Sequence, residues 1–151
     1  MANTQAMCTS FKDQLLEGHH NFGVGVVRAS TAADTFKAAL YLASATINAS
    51  TTAYTATGEV TGTGYTAGGV TVTFGTAPST SGTTAFVTPS ASITYSAVTL
   101  STAFDAVLIY NSTQSNKAVS VHTFGSQIVT AGTFTLTMPV NDASTGLIRL
   151  A

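Results

Sequence analysis

Three imidazoles, six carboxylates and one thiol are the groups in this sequence best suited to proton transfer, metal binding or nucleophilic attack. Their spacing gives them little to work with. His19 and His20 are adjacent and His122 is far away in sequence. Neighbouring residues on a helix point in different directions, so the pair lacks the i, i+4 geometry of a helical metal site. Asp13, Glu17, Asp34, Glu59, Asp105 and Asp142 are scattered. Only Asp13 and Glu17 share a helix face, where a solvated surface is the simplest role and paired acid–base work is not expected. Cys8 has no second cysteine to pair with, which fits synthesis in a reducing cytoplasm and a small buried side chain.

Phe124-Gly125-Ser126-Gln127-Ile128 does not match the Gly-x-Ser-x-Gly elbow of a hydrolase. The run from Gly62 to Gly69 superficially resembles a phosphate loop but has no lysine and precedes a strand instead of opening a helix. It reads as a flexible loop that packs closely on a neighbour. Thr71/Thr73 and Thr133/Thr135/Thr137 set hydroxyls in ranks of the kind ice-binding proteins present. Without a fixed repeat they read as the polar outer faces of strands. No catalytic residue, cofactor-binding residue or metal ligand is expected, and the chain is not read as an enzyme.

The elements that must position these groups are mostly strands. Thr9 to His19 has helical character: Thr9 and Ser10 can cap free N–H groups, Asp13 lies in the first turn, and Phe11, Leu15 and Leu16 form an apolar face. Three turns are too short to be stable alone, so that face must dock on the chain's own sheet or on a neighbouring subunit. Asp34 to Leu42 can be read two ways, helix from its alanines or strand from the alternation of Phe36, Ala38, Leu40 and Leu42. A half-buried strand is expected, since the rest of the chain is rich in Thr and Val.

Residues 44 to 69 show no sustained period and are expected to form a long exposed loop or arm. Beyond them, strands are expected at Val70–Phe74, Ala85–Val87, Ile93–Tyr95, Phe104–Tyr110, Ala118–Phe124, Phe134–Met138 and Leu147–Leu150. The polar run Asn111 to Lys117 makes residues 104 to 124 an antiparallel hairpin. Pro89 and Pro139 fall at strand ends, as residues that cannot donate to a ladder should. The expected fold is mainly β, an antiparallel β-sandwich or open barrel with one short N-terminal helix. It forms a single domain over residues 1–151.

Composition narrows the function further. Only 7% of the 151 residues are charged, against about 25% in a typical soluble domain, and the net charge is −1. Five cations cannot supply a patch that neutralises many phosphates, so no nucleic-acid partner is expected. No run approaches the roughly 18 apolar residues of a membrane span, and the first residues lack a signal-peptide pattern. Eight Phe and five Tyr argue for a folded core. Near-zero charge favours association.

The segments Met7 to Gly18, Asp34 to Tyr41, Thr52-Ala53-Tyr54, Gly58-Glu59-Val60, Gly62 to Gly69, Leu108 to Ser112 and Lys117-Ala118-Val119 occur in one order over most of the chain. In that order they resemble a group of small virion structural proteins of tailed bacteriophages, in which a short helix precedes an Asp-Thr-Phe-Lys strand. The stretch Asn21 to Ala33 departs from the group by separating helix and strand more widely. The resemblance implies a cement or decoration protein on the capsid surface, made in the host cytoplasm, with the major capsid protein and further copies of itself, for instance as a trimer, as partners. It carries over no catalytic residue and no cofactor. A head–tail connector or tail component is the alternative within virions, and a β-rich glycan-binding adhesion module the alternative outside them. The candidate interface residues are Phe11, Leu15 and Leu16 on the helix and Gly62, Gly64, Tyr65, Gly68 and Gly69 in the loop.

Overall fold

Alternating β-branched and aromatic residues build an antiparallel, mainly β architecture in the computed structural model, which describes residues 3–16, 19, 20, 22 and 33–151. In chain order the elements are β1 (Ala6–Met7), α1 (Thr9–Leu16), β2 (Phe36–Leu42), β3 (Val70–Val72), β4 (Ser79–Ser81), β5 (Thr84–Val87), β6 (Ile93–Asn111), β7 (Lys117–Leu136) and β8 (Ile148–Leu150). They form a five-stranded sheet in the order β1-β7-β6-β2-β3 and a three-stranded sheet in the order β4-β5-β8. The arrangement is sandwich-like, and the described strands close no barrel.

Residues 36–42 are a strand, paired with β6 from Phe36↔Asn111 to Leu42↔Phe104. It is buried on both faces, not half-buried as expected: Ala38, Ala39, Leu40 and Tyr41 are all inaccessible to solvent. Its alanines serve close packing in a central strand, which is why their helix propensity loses.

The separately expected strands at 93–95 and 104–110 are one element, β6, and those at 118–124 and 134–138 are joined in β7, which stops at Leu136. The intervening Ser-, Thr- and Gly-rich stretches read as breaks but are bulged strand. Register shifts fall between Tyr95 and Val98, Val98 and Leu100, Leu100 and Phe104, and Phe104 and Ala106, and Ala97 and Ala131 adopt positive φ. Bulges bend a strand and increase its twist. Tyr95 Oη donates to the Ala38 carbonyl at 2.8 Å, while Ala38 pairs with Ile109 at the other end of β6. A straight strand would part Tyr95 from Ile109 by roughly 45 Å at about 3.3 Å per residue, so β6 curves back over its own sheet.

Residues 44–69 do not form an exposed arm. Ile47, Glu59 and Val60 are buried, and the segment is stitched to β2 by Val60 N–H to the Leu40 carbonyl (3.0 Å) and Leu42 N–H to the Gly58 carbonyl (2.9 Å). The expected hairpin turn is present: Asn111 pairs with Lys117, Asn111 Oδ1 accepts the Gln114 N–H, and Ser115 and Asn116 take left-handed φ. Most of the stretch Asn21 to Ala33 lies outside the described residues.

Candidate functional site

Among the described residues, polar or unpartnered groups gather at a tyrosine corner around Glu59, at a crevice by Ser120 and His122, and along the outer edge of β7, among other places.

In the corner, Glu59 is only 6% exposed and its carboxylate is saturated. Tyr54 Oη donates to Oε2 at 2.6 Å, Tyr65 Oη donates to Oε1 at 2.7 Å, and the Gly68 N–H donates to Oε1 at 2.7 Å. All five tyrosines of the chain take part. Tyr110 Oη donates to the Gly68 carbonyl and stacks on Tyr54. Tyr95 stacks on Tyr65, and Tyr41 Oη donates to the Thr55 carbonyl at 2.5 Å. Tyr65 Oη also accepts the Leu40 N–H, filling a gap along the edge of β2. Burial first, and the neighbouring Glu59 second, hold the Tyr95 and Tyr110 hydroxyls above the ordinary phenol range. Such groups remain donors at any physiological pH. Each of these hydroxyls, and both oxygens of the Glu59 carboxylate, has a partner within the fold.

The glycines of the 62–69 loop belong to the same corner. A Cβ on Gly62 would lie 2.0 Å from the Thr99 carbonyl oxygen, on Gly64 2.3 Å from that of Ala97, and on Gly69 1.7 Å from that of Ala38. Gly68 sits against the Tyr110 hydroxyl. The neighbour on which this loop packs is therefore the chain's own sheet, and the glycines and Tyr65 are explained without a second subunit. The helix face is corrected likewise. Phe11 is fully buried, edge-on to His20 at 4.7 Å and to Phe22 at 5.8 Å, and half-buried Leu15 packs on the same core. An apolar stripe on a short helix docks inward when a sheet lies within reach. The side chain of Leu16 lies outside the described residues.

In the crevice, Ser120 Oγ and His122 Nε2 are 2.9 Å apart. They line a cavity of about 480 Å³ together with Met7, Leu147 and Arg149. Burial pushes the His122 imidazole down to about 4, so it is neutral at physiological pH. No carboxylate among the described residues orients its ring, and the pair lacks the third member that makes a serine nucleophilic. The described residues hold no cluster of three or more His, Cys, Asp or Glu. Burial also raises the Cys8 thiol to about 11, which leaves it unreactive.

The edge of β7 is different. β1 covers β7 only at Ser120 and Val121, and from Phe124 to Leu136 no described strand pairs with its outer side. Ile128 is 60% exposed there, and Phe124, Val129, Phe134 and Leu136 are half-buried. Neither this strand nor its partner carries a charge in this region: no Asp, Glu, Lys or Arg occurs from Val60 to Phe104 or from Ala118 to Asn141. Soluble proteins blunt such edges with lysine, proline or a covering segment. Periodicity located these strands, but not which of them would be outermost.

Compared with protein-family models, curated proteins and solved structures, the chain matches none.

Proposed function

We propose that this chain is a non-enzymatic structural protein of a tailed-phage particle, a cement or decoration protein that binds the major capsid protein and stabilises the shell. The observation that carries this reading is the charge-free open half of the β6–β7 hairpin, whose outer edge has no partner among the described residues. A free-standing protein has reason to protect such an edge, whereas an assembly subunit has reason to keep it. The tyrosine corner adds support, because its hydroxyls are engaged within the fold. A many-copy shell component gains from repetition, since weak contacts add across a lattice.

A glycan-binding module is less well supported. Sugar recognition by stacking needs an aromatic face open to solvent. Every Phe and Tyr of the chain is buried or half-buried.

The test is the number of copies per purified particle, measured by quantitative mass spectrometry against the major shell protein. Hundreds are expected for a cement protein. A handful or a dozen would move the chain to the neck or tail, and absence from particles would overturn the virion reading.

A further inference from the structure

The two sheets meet at the crevice that holds Ser120 and His122. Residues of β1 and β7 line it from the larger sheet, and residues of β5 and β8 from the smaller. Sheets packed face to face normally fill the space between them with interdigitating side chains. The volume here, about 480 Å³, falls instead in the range of small-molecule pockets, about 300 to 1,000 Å³. Its walls are of two kinds. Val121 and Ile148 are buried and Met7 and Leu147 half-buried, which gives it an apolar surface. Ser120, His122 and Arg149 give it a polar one.

The polar wall is rich in hydrogens to donate. A hydroxyl and a neutral imidazole carry two polar hydrogens between them. The 2.9 Å bond joining Ser120 to His122 uses one, whichever of the two donates, and leaves the other for a further acceptor. The Arg149 guanidinium has five N–H donors in a planar fork, of which one goes to the Ser144 carbonyl. No Asp or Glu is among the described residues that line the crevice. The carboxylate nearest to Arg149 in sequence, Asp142, is turned into its own loop, where Oδ1 accepts from Ser144 and Thr145. A guanidinium beside a pocket that lacks its counter-charge favours an anion there.

We infer that this crevice binds a small amphipathic monocarboxylate, its carboxylate on Arg149 and the Ser120–His122 pair and its hydrocarbon part on Met7, Val121, Leu147 and Ile148. One guanidinium balances one negative charge, and its planar fork matches the two oxygens of a carboxylate. A dianion such as phosphate would bring a second charge that no other cation lining the crevice neutralises. The site shares no residue with the bare edge of β7 from Phe124 to Leu136, so it goes beyond the assembly reading and does not depend on it.

The test titrates the isolated full chain with sodium hexanoate and follows the His122 ring and the Met7 methyl group by NMR. Both signals should shift saturably. Hexanoate should bind at least about tenfold more tightly than acetate, which lacks the tail, and than hexanol, which lacks the charge. Arg149→Gln, at an exposed position, should keep the β circular-dichroism spectrum, weaken hexanoate at least about tenfold and leave hexanol unchanged. Lys117→Gln, at the start of β7 and outside the crevice, should change neither. Signals that stay in place up to about 100 mM hexanoate, equal affinity for hexanoate and hexanol, or indifference to Arg149→Gln would each overturn the proposal. Tighter binding of inorganic phosphate than of acetate would overturn the assignment to a carboxylate.

Discussion

Near its turn the β6–β7 hairpin is buried on both faces with one register shift, between Ile109 and Tyr110, whereas toward its open end it carries four, is covered on one face, and has no described strand along its outer edge. The two halves differ in sequence as they do in surroundings. Ala106 to Tyr110 and Ala118 to Val121 are nearly continuous apolar runs, flanked by β2 on one side and by β1 and α1 on the other. Ile93 to Tyr95 and Gly132 to Leu136 alternate, with threonines outward. Consecutive apolar residues demand cover on both faces, and alternation demands it on only one. The turn half thus supplies most of the buried core, and the open half leaves an edge that no described strand covers.

Substitutions in the two halves should separate these roles. Leu108→Ala, in the turn half and fully buried, should cost about 2–5 kcal/mol in chemical denaturation. A cost below about 1 kcal/mol would mean that the turn half is not the stability-determining part. Glu59→Ala strands the Tyr54 and Tyr65 hydroxyls and the Gly68 amide, and should cost about 2–3 kcal/mol; Glu59→Gln, which retains an acceptor, should cost less.

His122, beside the turn half, sharpens the comparison through pH. Its folded pKa of about 4 lies below the ordinary 6.5, so the unfolded chain binds the proton more readily. The stability it confers is complete above about pH 6.5 and is lost as pH falls toward about 4, on the order of 3 kcal/mol. Denaturation midpoints of His122→Gln should fall less steeply than those of the unmodified chain across that window. Ile128→Ala, in the open half, should shift stability by no more than about 0.5 kcal/mol when measured on the monomer.

Much of the architecture was legible before any coordinates. β-branched alternation located the strands, the Asn111–Lys117 run located the hairpin turn, and Thr9-Ser10 located the helix start. The lengths of β6 and β7 were not legible, because a bulge accommodates the same Gly, Ser and Thr that end a strand elsewhere. Nor was the Glu59 corner: its tyrosines come from β2, β6 and the loop between β2 and β3, and only tertiary folding brings them together. The glycines of the Gly62–Gly69 run signal a close approach, but their spacing does not say that the surface approached is the chain's own sheet. The same holds for Phe11, which is fully buried: an apolar helix face looks alike in sequence whether it docks within a subunit or between two.

Residue-resolved hydrogen exchange tests the division between the two halves most directly. Amides at Leu108 and from Val119 to Val121 should be protected. Those of Gly132 to Leu136 that point away from β6 should exchange freely. Protection of those outer amides equal to that of Leu108, or exchange at Leu108 as fast as theirs, would contradict the account.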